Sequence, residues 1–235
     1  MARKYFSMVL VTFVLLGLCA CKKQVPDDTY ADPLSHDTLY YDTLTNTLTF
    51  NAVYNSAPAT AGSWHLIAHK EGKAGGSTAT PFSTGVSPHQ FYQGLLLLKA
   101  VAGNNVTMAN MGSEGTFTQG TVLDVSITWS GAAKTYALSE FMEEVIPDNS
   151  TLNEKLGQEI RFGGNRATEP TSPQLSDGTG CVICQYSCAI GVASGAKDDQ
   201  YIMVNHDHGK FRYFANPDVV PEDGTVCTIT VKVNK

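Results

Sequence analysis

Strict alternation closes the chain. In GTVCTITVKVN (224–234), Cys227, Ile229, Val231 and Val233 fall on one face, and Val226, Thr228, Thr230 and Lys232 on the other. A period of two with one apolar face marks a half-buried strand, so Cys227 is expected to point into the core. TLTFNAVYN (47–55) and VLDVSITWSG (122–131) alternate in the same way, and SWHLIAHK (63–70) is rich in strand formers. KTYAL follows across Gly131 and Ala132, which predicts a hairpin. YIMVNHDHGKFRYFAN (201–216) predicts a second hairpin around Asp207-His208-Gly209. EIRFGGN (159–165) reads as a strand ending in paired glycines.

Two segments break the pattern. SPHQFYQGLLLLKAVAGN predicts a helix with Ser87 as N-cap, Pro88 in the first turn and its end at Gly103. Leu95–Leu98 make it apolar on several sides, so it is expected to pack deep against a sheet. LSEFMEEVI (138–146) predicts a short helix begun by Ser139. The expected fold is one α+β domain over 37–235. It comprises a mostly antiparallel β-sheet, one buried Leu-rich helix and one short helix. RATEPTSPQLSDGTG (166–180) carries no pattern and reads as a long loop.

The N-terminus changes the picture of where the domain works. MARKYFSMVLVTFVLLGLCACKK has a basic start and an apolar run too short to span a bilayer, the form of a secretory signal. Leu18-Cys19-Ala20-Cys21 resembles a lipobox, so residues 1–20 are expected to be removed and Cys21 lipid-modified. Residues 21–36 then serve as a polar linker. The predicted location is an outer-membrane or cell-surface lipoprotein, its domain outside the cytoplasm. Lys22 and Lys23 leave no Asp behind the lipidated cysteine, which tilts the choice toward the outer membrane. The formal net charge is −6, and losing Arg3 and Lys4 deepens it by two. An acidic chain without a basic stripe argues against nucleic acid as a partner and against electrostatic docking on anionic lipid.

Candidate chemistry concentrates in TGCVICQYSCAIG (179–191), where Cys181, Cys184 and Cys188 lie close together. Three thiolates in such a run suit zinc or an Fe–S cluster, with Cys227, His206 or His208 as a fourth ligand. In an oxidising compartment the same residues suit two disulfides, with Cys227 bonded to one of the series, and no cofactor at all. A redox-active Cys181–Cys184 pair is a third reading, disfavoured because β-branched Val182 and Ile183 call for a strand rather than a helix N-terminus. His206 and His208 share a strand face but also suit a turn. His65, His69 and His89 read as structural or surface histidines, since no nucleophile or carboxylate stands at triad spacing. Gly163 and Gly164 permit a bulge or the close approach of a ligand. No phosphate-binding glycine motif occurs, and adjacent Glu143 and Glu144 diverge on a helix.

From His89 onward the order of features resembles the uncharacterised YdjY-type bacterial domain. A Leu-rich helix leads to Gly103-Asn104. A strand ending in Trp129 and Gly131, the LSEF segment, RFGGN and the series GCVICQYSC follow. The likeness runs from about residue 63 to 235 and implies a fold more than a function. Some members carry Pro after the third cysteine, as ferredoxin motifs do, whereas Ala189 stands there here. The lipoprotein signal and the Asp37-Thr38-Leu39 and Asp42-Thr43-Leu44 triplets resemble exported proteins of the Bacteroidota.

Together these features lead to a lipid-anchored, non-catalytic binding or interaction module of the cell envelope, its partner a protein or small molecule. The alternative is a metal- or Fe–S-binding, electron-transfer lipoprotein using Cys181, Cys184 and Cys188.

Overall fold

In the computed structural model, the alternation of the last strand becomes burial. Cys227, Ile229, Val231 and Val233 are buried, while Val226 and Lys232 on the other face are exposed. The structure describes residues 22–25, 37–72, 80–113, 115–145, 153–155, 159–165, 180–196 and 212–235. In chain order they form β1 (Lys23–Gln24), β2 (Tyr40–Asp42), β3 (Thr47–Tyr54), α1 (Ser56–Ala61), β4 (His65–His69) and β5 (Phe82–Thr84). Next come α2 (Pro88–Leu97), β6 (Val122–Trp129), β7 (Tyr136–Ala137), α3 (Leu138–Phe141), β8 (Met142–Val145) and β9 (Asn153–Lys155). The chain finishes with β10 (Ile160–Arg161), β11 (Cys181–Cys184), β12 (Ala193–Gly195), β13 (Arg212–Ala215) and β14 (Val226–Val233).

The expected open antiparallel sheet is replaced by a closed, mixed barrel of eight strands. Its wall runs β3-β14-β6-β10-β12-β11-β4-β5 and returns to β3. Two pairings, β4–β5 and β11–β12, are parallel, and the others round the wall are antiparallel. Closure turns on β3. One edge pairs with β14 along most of its length, while the other is shared by β2 at Thr47–Thr49 and β5 at Val53–Tyr54. Closing the wall leaves few unpaired backbone groups, the usual penalty of a sheet edge. β8, β9 and β13 make a separate small sheet, joined to the barrel by the bridge Ser63↔Tyr213.

The second correction concerns the Leu-rich helix. Its start is as expected: Ser87 Oγ accepts from Gln90 N at 3.0 Å, with Pro88 in the first turn. The helix stops at Leu97, before the expected end, because Lys99 takes a left-handed φ of 62°. It is not buried all round. Phe91, Leu95 and Leu98 lie on one stripe and are sealed, with Phe91 edge-on to Phe50 at 6.0 Å. Leu96 and Leu97 fall between those positions and stay about 40% exposed. A side chain such as Phe91 contributes about 1.5–3 kcal/mol by full burial, which is why the stripe, not the leucine count, sets the helix's pose.

The short helix over 138–146 shrinks to α3, and Met142–Val145 continues as β8. The hairpin over Gly131 holds, with Ser126↔Ala137 and Ile127↔Tyr136 paired. Within the expected linker, Lys23–Gln24 pairs with β2, and Val25 is fully buried with its N–H on Leu39 O at 2.7 Å. Among the described residues no helix is long and apolar enough to cross a membrane.

Candidate metal centre

Cys181 and Cys184 stand three residues apart on one strand, a spacing that an even pleat would send to opposite faces. The β11–β4 ladder is not even. Cys181 pairs with Ala68, Ile183 with Ile67 and Cys184 with His65, with register shifts between the rungs. An extra residue on β11 and then one on β4 re-aim the side chains, as bulges do. Both sulfurs therefore turn toward the same place, and the β4 partner of Cys184, His65, joins them. Sγ of Cys181, Sγ of Cys184 and a ring nitrogen of His65 all lie within 4.8 Å of one another. His65 Nδ1 is 3.2 Å from Cys181 Sγ.

Cys188 arrives on the connection from β11 to β12. Gln185 Nε2 donates to the carbonyls of Ser63 and His65, both at 3.1 Å, so the connection is tied to the start of β4. Ser187 Oγ accepts from Thr118 N and donates to Gly195 O, each at 2.9 Å. Asn165 Nδ2 donates to the Cys188 carbonyl. Gly191 closes the turn against Cys184: a Cβ there would sit 2.8 Å from the Cys184 sulfur. Ala189 N donates to Met111 Sδ at 3.2 Å, which brings a thioether beside the three thiols.

The pocket is dry. Cys181 and Cys184 are wholly buried and Cys188 is 1% exposed. Hydrogen bonds to Cys181 and Cys188, with burial, push the Cys184 thiol well up. Cys188 moves the opposite way. The hydrogen bond from Cys184 holds it below the usual thiol range against burial, and the backbone N–H groups of Gly191 and Ile190 assist. For His65, burial opposes the charged ring, but the hydrogen bond to Cys181 and the charges at Cys181 and Cys188 outweigh it and raise its pKa. Tyr186 is raised by burial first, then by the charges at Cys188 and Cys184. Its ring meets Trp64 edge-on at 5.6 Å. The shared hydrogen bond thus drives the two thiols apart, Cys184 holding its proton and Cys188 giving its own up more readily, with His65 as a base beside Cys181. On the site's open side, His65 and Trp64 help line a cavity of about 390 Å³ next to α1.

The structure does not bring Cys227 to the series. β14 and β11 stand opposite each other in the wall, with three strands between them in either direction. Cys227 Sγ faces Thr225 O at 3.8 Å, and burial pushes its pKa up to about 12. All four of these thiols are free. The expected pairing of Cys227 with the series thus has no geometric support. Cys21, His206 and His208 lie outside the described residues. Gly163 and Gly164 are filled by protein rather than left open: Gly163 O accepts from Asn104 N, Gly164 N donates to Val192 O, and a Cβ on Gly164 would fall 2.4 Å from Ala102 Cβ. Sequence reasoning missed His65 as a neighbour of the thiols, and Met111 and Asn165 as supports of the turn around Cys188. Only the register shift between β4 and β11 reveals the first.

The chain matches the YdjY domain family over residues 39–232. It is 31% identical, over 95% of its own length and 92% of the relative's, to the Escherichia coli (strain K12) protein described as "Uncharacterized protein YdjY". No solved structure matches it. The chain belongs to the YdjY domain family.

Proposed function

We propose that this member of the YdjY family is a lipid-anchored envelope protein whose barrel wall holds a buried metal ion. Cys181, Cys184, Cys188 and His65 are the donors, and zinc is the best-matched ion. The supporting observation is the crowding of Cys181, Cys184 and His65 within 4.8 Å, with Cys184 touching Cys188. Bond lengths of about 2.3 Å to sulfur and about 2.0–2.1 Å to nitrogen put the donors of a tetrahedral zinc about 3.5–3.8 Å apart, which a small inward movement achieves. An Fe–S cluster interposes two or more irons and bridging sulfides between its thiolates, and donors already in mutual contact leave no volume for them. Four protein donors leave no open position for substrate, so the role is binding rather than catalysis. The ion clamps β11 and the Cys188 turn to β4, and the cavity beside His65 offers its route in.

The lipid anchor rests on the sequence Leu18-Cys19-Ala20-Cys21. With the signal and the Asp-Thr-Leu triplets, it favours an outer-membrane or cell-surface lipoprotein like those exported by Bacteroidota. The partner through Cys21 is the membrane, and an acidic chain gives nucleic acid no footing.

Full-length protein purified without air tests the centre. Zinc and iron are measured by elemental analysis, together with visible absorbance and a thiol count after denaturation. One zinc per chain on a colourless protein is expected. Iron with charge-transfer absorbance makes it a cluster protein, and a metal-free chain without free thiols makes the series a disulfide staple. Cys21→Ser should release the protein from membranes; if it stays bound as before, the anchor is wrong.

A further inference from the structure

The folded chain begins almost at the lipid. Lys23–Gln24 is already a strand of the barrel sheet, and Cys21 precedes Lys22 by one peptide bond, about 3.8 Å between Cα atoms. β1 runs antiparallel to β2, pairing Lys23 with Tyr41, so Lys22 leaves beside Asp42, whose carboxyl it helps to lower after the backbone N–H of Leu44. The exit point is therefore the β2–β3 hairpin, whose tip carries Leu44 at 73% exposure.

Backbone hydrogen bonds lead from this tip around one end of the barrel. Val233 N donates to Asn46 O at 2.8 Å, Asn234 N to Val122 O at 3.0 Å, and Thr121 N to Val101 O at 2.9 Å. Val101 is 68% exposed. It follows α2, whose Gly94 packs on Leu39 and Leu48 and whose last turn leaves Leu97 uncovered. Exposed Leu44, Leu97 and Val101 thus surround the exit of the chain. Lys22, Lys23 and Lys235 lie among them, with Lys235 Nζ on Asn46 Oδ1 at 2.5 Å. The chain is acidic as a whole, and Asp42 and Asp124 stand at this end too, but the lysines outnumber them beside exposed apolar side chains, a composition suited to a membrane interface.

Resting on the lipid-anchor reading above, we propose that this barrel end lies directly on the bilayer. Leu44, Leu97 and Val101 enter the headgroup boundary, and the lysines meet lipid phosphates. Two residues of slack do not let the barrel swing free. β3 runs from this end at Thr47 to the opposite end at Tyr54, where α1 and the cavity beside His65 open. The metal centre's mouth therefore faces away from the membrane.

The test uses the full-length, acylated protein in vesicles of phosphatidylethanolamine and phosphatidylglycerol with brominated chains. Leu44→Trp and Val101→Trp are compared with Val226→Trp, an exposed site at the opposite end. The added emission of the first two is expected to fall by roughly half, as for an indole about 5–10 Å into the boundary, and that of the third to stay. Flotation with the vesicles is read in parallel. Protein that floats without quenching at Leu44→Trp and Val101→Trp keeps the anchor and overturns the docked barrel. Equal quenching at all three sites overturns the orientation. Protein that does not float overturns the anchor and the proposal with it.

Discussion

His65 Nδ1 lies 3.2 Å from Cys181 Sγ although the residues are 116 positions apart in the chain. The contact crosses the β4–β11 ladder and, in the proposed zinc centre, makes a strand histidine the fourth donor beside the cysteine series. His65→Ala should therefore abolish stoichiometric zinc while His69→Ala retains it. His69 is more deeply buried on the same strand, but its Nδ1 accepts from Glu71 N at 3.2 Å and stands outside the donor set. Elemental analysis of both variants decides, and equal zinc in the two sinks the assignment.

Asn165 acts on the backbone of the series. It holds the Cys188 carbonyl and thereby the turn that presents Cys188. Asn165→Ala should weaken zinc about tenfold, the size of effect typical of residues that orient ligands, and leave the stoichiometry at saturation unchanged. Competition with a chromogenic chelator gives the number. Unaltered affinity would show that the turn holds itself.

Cys227 and Tyr54 make the fold sensitive to alkali. Burial raises the Cys227 thiol from 9.0 to about 12 and, as the larger cause, the Tyr54 phenol from 10.0 to about 12. Both groups are neutral in the folded state at a pH where the unfolded chain ionises. Their contribution to stability is thus complete below pH 9.0 and declines as pH rises toward about 12. Urea midpoints should fall across that window, and less steeply in Tyr54→Phe. For the same reason Cys227 should resist alkylation in the folded protein at pH 8, about where a free thiol reacts.

Gly164 has a φ of 69°, and a Cβ there would lie 2.4 Å from Ala102 Cβ and 2.7 Å from Asn104 Oδ1. Gly164→Ala meets both backbone strain and a clash, so a loss of at least about 1–3 kcal/mol is expected. A urea midpoint within error of the parent would contradict the packing of RFGGN against residues 102–104.

The long strands were legible because each buries one face over many residues. β3, β6 and β14 span eight residues apiece and alternate as written. Burial of Cys227 and capping by Ser87 followed from the same local rules. The strands that close the barrel were not legible. β5, β10 and β12 have two or three residues, too few to show a period, and their pairing is a matter of which edges remain open. LLLL misled because four apolar neighbours cover the whole circumference of a helix, and only packing against the barrel chooses the buried stripe.

The sequence by itself determined the strand-rich class, the family, and the three thiols of TGCVICQYSCAIG as the place to look for chemistry. Tertiary structure alone decided that Cys227 belongs elsewhere and that His65 belongs to the site. The reason is physical. Side-chain direction along a strand follows local alternation, but which side chains meet depends on register between strands far apart in the chain. Two single-residue shifts between β4 and β11 turn a spacing that should separate Cys181 from Cys184 into one that joins both to His65.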